Sequence, residues 1–340
     1  MNQRFINQFG EHEAIHQVFL VLDKQLRTNR NGNLYLQMRL SDRTGTVNAM
    51  MWNVSDRIMR EFATGDYVRA TGNTQYYNGA MQIIVTNVER VAAETVNEED
   101  FNQLKTRDVE KLLGEFTDLL RQIGNHHLRG LAECFLIDHD FLDRFSRAPA
   151  AVKNHHAYPG GLVEHVVTLM HLTQSVARHY PQIDADELLM GAMLHDLGKI
   201  EELAYDRELT YTDEGQLIGH VVIGVRILED KLKQTVELMG EPFPPELALR
   251  LKHLVVSHHG QYEYGSPRLP MTTEAMVLHL LDNLDAKVNS FDQLMRDDAN
   301  TSSLWTPYQA SLGRKLFKRQ PQLDDASAAN DHPDPVAMKL

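Results

Sequence analysis

The chain has 340 residues, more than one ordinary domain holds, and a hydrophobic share of 42%, enough to bury cores. Its single cysteine, Cys134, excludes an internal disulfide framework and suits a reducing compartment, while the absence of any run of about 18 apolar residues excludes a membrane span. The formal net charge of −13 argues against nonspecific binding to duplex DNA, but it is uneven: residues 1–92 carry 10 basic and 8 acidic side chains, and the remainder 24 and 39.

The first 92 residues alternate as β-strands: Ile15 to Leu26, Leu34 to Leu40, a turn at Ser41 to Gly45, and Thr46 to Trp52. A short helical piece, Val54 to Phe62, precedes two more strands, Asp66 to Tyr76 and Met81 to Val88, joined across Asn78-Gly79, a tight-hairpin dipeptide. Five strands with a helix after the third is the OB arrangement, a small barrel that binds oligonucleotides. On it, Tyr35, Trp52, Tyr76 and Tyr77 are candidates for stacking on bases, and Lys24, Arg27, Arg39, Arg43 and Arg69 for following phosphates. Barrel core or ordinary turn surface accounts for each aromatic side chain about as well.

From Asn97 to about Phe145 the pattern turns helical, with Leu112-Leu113, Phe116, Leu119-Leu120 and Ile123 at three-to-four spacing, so residues 93–150 read as a helical linking region. Beyond it the chain spells H…HD…H…HH…D: His165, His195-Asp196, His220, His258-His259 and Asp282. Imidazoles and carboxylates are the side chains that hold borderline and hard divalent cations. His165 lies in an apolar helical run. His195-Asp196 ends the run Leu188 to Leu194, with Gly198 following as a helix stop; His220 opens another run; and His258-His259 closes Leu247 to Val256 before Gly260. Adjacent histidines on a regular helix point about 100° apart, so joint use of His258 and His259 requires the helix to end there. Taken singly, His171, His179, His253 and His279 read as structural. Asp282, inside the otherwise apolar run from Ala275, does not, because a buried carboxylate without a partner costs several kcal/mol. Asp324 to Leu340, rich in Asp, Ala and Pro, reads as a disordered acidic tail.

The segment Ala192-Met193-Leu194-His195-Asp196-Leu197-Gly198-Lys199 resembles the signature of the HD-domain metal-dependent phosphohydrolases, and the added third-helix histidine and His-His pair resemble their dinuclear branch. Lys153 to His165, with Ser257-His258-His259-Gly260 and the late stretch Leu304 to Lys318, is similar to the YhaM-type 3′–5′ exoribonucleases over nearly the whole chain. The resemblance implies an α+β multidomain protein: a five-stranded OB-like barrel at 1–92, the linking region, an all-α HD bundle at 151–320, and the tail at 321–340. It implies two divalent transition-metal ions, manganese first, with iron or cobalt as alternatives. His165, His195, Asp196 and Asp282 hold one ion; His220, His258, His259 and Asp196 hold the other, Asp196 bridging through its two oxygens. Lys199 is placed to ground a phosphate or assist a leaving oxygen, or else is simply a favourable charge at a helix end. Asp285, one turn after Asp282, and Glu164 are candidates to orient an imidazole, and His155-His156 to touch substrate.

The activity so implied is 3′–5′ hydrolysis of single-stranded RNA, with single-stranded DNA as a second polymer, by a cytoplasmic homo-oligomer. Two other functions fit the same residues: hydrolysis of cyclic dinucleotides or free nucleotides, and single-strand binding with a purely structural metal.

Overall fold

The computed structural model describes residues 3–28, 32–54, 56–77, 80–101, 106–152, 158–205, 209–296, 298 and 303–318. The Asn78-Gly79 dipeptide, His155-His156 and the tail beyond residue 320 lie outside the described residues.

Strands β1 (Ala14–Thr28), β2 (Leu34–Asp42) and β3 (Gly45–Trp52), helix α1 (Asp56–Glu61), and strands β4 (Tyr67–Tyr77) and β5 (Ala80–Val91) build the N-terminal unit. They close into a barrel of order β1-β2-β3-β5-β4, antiparallel except where β3 runs parallel to β5, with β1 pairing β4 to shut it. That is the OB topology. Alternation does the work: Phe19, Val21, Leu36, Met38, Leu40, Ala49, Val68, Ala70 and Ile83 fill the barrel, and their neighbours in sequence face out. The strands outrun the apolar pattern. β1 reaches Thr28 through polar residues because its ladder with β2 persists to the Thr28–Leu34 pair. The turn shrinks to Arg43 and Thr44, because Ser41 and Asp42 pair with Thr46 and Gly45. The buried Asp42 carboxylate accepts from the Ile6 N–H at 2.6 Å and the Thr44 N–H at 2.7 Å, pinning the N-terminal segment to the barrel. At the bulge between Thr71 and Gly72, only glycine fits, since a Cβ on Gly72 would lie 2.1 Å from the Ile84 carbonyl oxygen.

The rest is helical apart from a small hairpin: α2 (Thr106–Arg121), α3 (His126–Leu136), α4 (His139–Arg147), α5 (Gly161–Ala177), α6 (Ala185–Leu194), α7 (Lys199–Glu202), strands β6 (Leu203–Ala204) and β7 (Thr210–Tyr211), α8 (Asp213–Ile218), α9 (His220–Met239), α10 (Pro245–Ser257) and α11 (Thr273–Arg296). Helix α6 is capped by Asp184, whose side chain accepts from the Glu187 N–H, and is buried on all sides from Glu187 to Leu194. It is therefore the axis around which α5, α10 and α11 pack. Helices α2, α3 and α4, read from sequence as a linking region, contribute Phe116, Leu120, Phe135 and Phe145 to the same core as Leu162, Met170 and Met193 of the histidine-bearing helices. No helix among the described residues is long and apolar enough to cross a membrane.

One half-buried ion pair ties this core together. Lys231 of α9 donates to the Asp138 carboxylate at 2.7 Å and to the Cys134 carbonyl at 2.8 Å, and Asp138 also caps α4 through the Phe141 N–H. Burial works against the Asp138 carboxylate, but the Lys231 ammonium and the Phe141 N–H outweigh it and hold the carboxyl below its usual range. Because the folded value is depressed, the stabilisation is present above the ordinary aspartate value and is lost as pH falls through the folded one. Asp138→Asn keeps the cap but strands Lys231; with the carboxylate partly open to solvent, the expected cost is about 1–3 kcal/mol, read as a lower denaturant midpoint at neutral pH.

Candidate metal centre

The helix ends and one helix interior bring seven side chains to one point. His165 is on α5; His195 caps the C-terminus of α6, with Asp196 next; His220 is the first residue of α9; His258 caps α10, with His259 next; and Asp282 is within α11. His165, His195, Asp196 and His258 are buried. The chain reverses after His259 because Gly260 has φ +75°, which lets two adjacent histidines serve one place.

The ring nitrogens face each other in two sets. His165 Nε2 and His195 Nε2 are 3.2 Å apart, with Asp282 Oδ1 3.3 Å from the first. His220 Nε2 and His259 Nε2 are also 3.2 Å apart, with His258 completing that set. Asp196 stands between: Oδ2 lies 3.4 Å from His195 Nε2 and 3.7 Å from His165 Nε2, while Oδ1 lies 3.6 Å from both His220 Nε2 and His258 Nε2. Two ligands on one cation at bonds of about 2.0–2.1 Å and near-tetrahedral or right angles are themselves about 2.8–3.4 Å apart.

The far side of each ring decides what its near side offers. His165 Nδ1 donates to Asp285 Oδ2 at 2.7 Å, His195 Nδ1 to the Ala192 carbonyl at 2.8 Å, His220 Nδ1 to Glu202 Oε1 at 3.0 Å, and His258 Nδ1 to the Val255 carbonyl at 2.7 Å. With those protons fixed on Nδ1, each neutral ring turns its Nε2 lone pair to the centre. Lone pairs facing each other at 3.2 Å repel unless a positive charge lies between them. His258 Nε2 and Asp196 Oδ1 are buried with no hydrogen-bond partner among the described residues, the mark of a polar site shaped for a cation. Electrostatics point the same way. Burial opposes a charge on His165, yet hydrogen bonds to Asp282 and Asp285 push its pKa up to about 10: where no metal cation lies against Nε2, a proton takes that place, so this half of the centre attracts positive charge. Burial likewise opposes the Asp196 carboxylate, but Lys199, His195 and His220 hold it well below its usual range. The donor set fits divalent metal ions.

Residues 162–287 match the family model of the HD domain, and residues 20–91 that of an OB-fold nucleic acid binding domain. The chain is 34% identical over 284 residues to the 3′–5′ exoribonuclease YhaM of Bacillus subtilis (strain 168), covering 83% of this chain and 88% of that protein. The chain belongs to the YhaM family of 3′–5′ exoribonucleases. The YhaM of Bacillus pumilus (strain SAFR-032) is 35% identical over 289 residues, covering 84% and 88%, and that of Shouchella clausii (strain KSM-K16) is 34% identical over 284 residues, covering 83% and 86%.

In this YhaM-family chain several side chains stand differently from their sequence reading. Glu164 accepts from the Tyr158 hydroxyl. A carboxylate the sequence did not mark, Glu202, orients an imidazole as Asp285 does: it accepts from His220 Nδ1 and also from the His220 backbone N–H at 2.9 Å, capping α9 and orienting its first side chain together. No local spacing marks Glu202; only the turn through β6, β7 and α8 brings it back. Gly198 is not a left-handed stop: it has φ −59°, and a Cβ there would lie 1.9 Å from the His220 carbonyl oxygen. It lets α7 touch α9, setting Asp196 against His220. Lys199 donates to Asp196 Oδ2 at 2.5 Å, so its charge belongs to the centre rather than to a helix end. On the barrel, exposed Arg43 lies over the Phe5 ring at 4.1 Å and 3.8 Å from Asp100, and Lys24 donates to the carbonyls of Met59 and Phe62 at the end of α1. Tyr35 and Trp52 pair across β2 and β3 on the outer face, rings 5.1 Å apart and Trp52 47% exposed, with Arg39 on the same face four residues along β2. Tyr77 is exposed and Tyr76 half-buried. His279 donates to the His258 carbonyl at 2.9 Å and His253 accepts from the Met271 N–H at 2.9 Å; both are structural.

Losing a carboxylate that orients a ligand ring costs about 10–100-fold in metal affinity or activity. Glu202→Gln is therefore expected to raise the metal concentration for half-maximal activity about 10–100-fold while the protein stays folded, as a metal titration of the rate measures.

Proposed function

We propose that this chain is a metal-dependent 3′–5′ exoribonuclease in which the barrel at residues 1–92 captures an unpaired strand and the helical domain at 151–320 cleaves its terminal phosphodiester with two divalent ions. The observation that carries the two-ion reading is the placement of Asp196, one oxygen toward each histidine set. Bound divalent ions supply Lewis-acid stabilisation of charge on the phosphoryl oxygens and a water acidified enough to attack at neutral pH.

The chain's own residues prepare that chemistry. Asp285 and Glu202 lock the rings of His165 and His220, and the Asp196 carboxylate spans both sets. Lys199 is partly buried, which works against its charge, but Asp196 more than compensates and holds its pKa above the ordinary range. Its ammonium is a fixed cation at the edge of the centre, suited to meet the phosphate or the leaving oxygen. Tyr35, Trp52 and Tyr77 offer ring faces that stack on any base, and Arg39 a charge for the backbone. Mixed imidazole and carboxylate donors favour manganese, with iron or cobalt next. The same ring faces accept the bases of single-stranded DNA. A homo-oligomer working in the cytoplasm completes the reading, and light scattering counts its subunits.

An RNA oligomer labelled at its 5′ end and incubated with manganese is expected to yield a descending ladder of labelled products, since unlabelled residues leave first. Immediate release of labelled mononucleotide reverses the polarity, and discrete internal fragments indicate an endonuclease. An intact oligomer alongside hydrolysis of cyclic dinucleotides or nucleoside triphosphates replaces this function with a small-nucleotide one.

A further inference from the structure

The segment after α11 is unlike the rest of the chain. Residues 303–318 contain Arg314, Lys315 and Lys318 and no acidic side chain, in a protein of net charge −13. They fold back on themselves through bridges between Trp305 and Phe317 and between Gln309 and Arg314. The Thr306 N–H donates to the Leu316 carbonyl at 2.9 Å and the Lys318 N–H to the Leu304 carbonyl at 2.7 Å.

Faces alternate along paired strands, and here Thr306 and Leu316 turn in and are buried. Trp305 and Phe317 are thereby set on the outer face, rings 4.9 Å apart and edge to face, yet 52% and 58% exposed. Tyr308 adds a third large ring, 61% exposed, while Arg314 and Lys315 are exposed beside them. The two rings hold each other edge to face across the hairpin and still leave about half of each side chain open to a partner.

The hairpin is also anchored to the catalytic frame. Lys318 donates to Asp298 at 2.6 Å, and Asp298 stands two residues past the last residue of α11, the helix that carries Asp282 and Asp285. From Asp285 to Arg296 that helix rises about 16 Å, a distance that a strand held at the metal centre covers in a few nucleotides. Burial and the nearby carboxylates of Glu11 and Asp298 raise the pKa of Tyr76, at the end of β4.

We propose that the 303–318 hairpin is a second binding platform for single-stranded RNA, on which Trp305, Phe317 and Tyr308 stack successive bases while Arg314 and Lys315 meet the phosphates. The proposal rests on the exoribonuclease reading above. Exposed rings interleaved with cations, without a carboxylate among them, are the combination that binds unpaired strands independently of sequence, and a polyanion is the partner such a charge balance favours.

The test compares the full-length protein with Trp305→Ala/Phe317→Ala, using a long unstructured RNA and a trinucleotide, both with manganese. Stacking of one base is worth a factor of about 5 or more on alanine substitution, so KM for the long RNA is expected to rise about tenfold or more. The kcat and the hydrolysis of the trinucleotide stay unchanged, and Trp305→Phe retains most of the affinity. Photocrosslinking of the long RNA to the unsubstituted protein is expected to label a peptide within 303–318, a readout independent of how the variant folds. An unchanged KM, or an equal loss on both substrates, overturns the platform, as does crosslinking confined to the barrel. A variant that only lowers the oligomeric state, with KM for RNA intact, makes the hairpin a contact between copies of the chain and overturns it too. If the unsubstituted protein shortens neither RNA, the nuclease reading fails, while the crosslink still decides whether the hairpin binds RNA.

Discussion

Asp196→Ala is expected to abolish turnover and to release metal from both halves of the centre. Each Asp196 oxygen faces a different histidine set, at 3.4 Å from His195 Nε2 and 3.6 Å from His220 Nε2, so one substitution removes a ligand from each. The effect must exceed the cost of about 10–100-fold that follows loss of an orienting partner such as Glu202. The same change removes the counter-ion of Lys199, whose ammonium donates to Asp196 at 2.5 Å, and leaves a buried cation amid imidazoles. Steady-state rates on RNA, with circular dichroism to confirm folding, measure the outcome. A folded variant retaining more than about a hundredth of the activity refutes the bridging role.

Chelation is the second large effect. With the ions removed, all hydrolysis is expected to cease and to return on adding manganese. Stability falls as well, because ions that bind only the folded state at about a hundred times their dissociation constant contribute about 2.7 kcal/mol each. For a domain of this size that corresponds to a drop in Tm of about 5–10 °C per ion. Calorimetry before and after chelation reads the shift. Full activity in thoroughly chelated protein dismisses the metal mechanism.

The sequence makes these residues visible for a physical reason. Asp282 stands out because a carboxylate within an apolar helix needs a cation, and the histidines stand out because they fall where apolar runs begin or end. The barrel is legible because alternation survives wherever one face is buried, as from Leu36 to Leu40. Partners distant in sequence leave no such trace. Glu202 reaches His220 across a turn with no periodic signal, and Gly198 reads as a stop although its missing side chain serves a backbone contact with α9. Arg43 and Lys24 show only their charge in the sequence, and it takes the fold to set Arg43 over Phe5 and Lys24 against the end of α1. Helices α2 to α4 read as a linking region because their apolar stripe does not say which core it joins, and Phe116 and Phe145 join that of α5 and α6.

The most direct test of the central claim is the metal content of the purified protein, determined by elemental analysis after manganese loading and removal of free ion. About two equivalents per chain, falling to near zero in Asp196→Ala, is the result expected of two histidine sets joined by one carboxylate. One tightly held equivalent in fully active protein contradicts it.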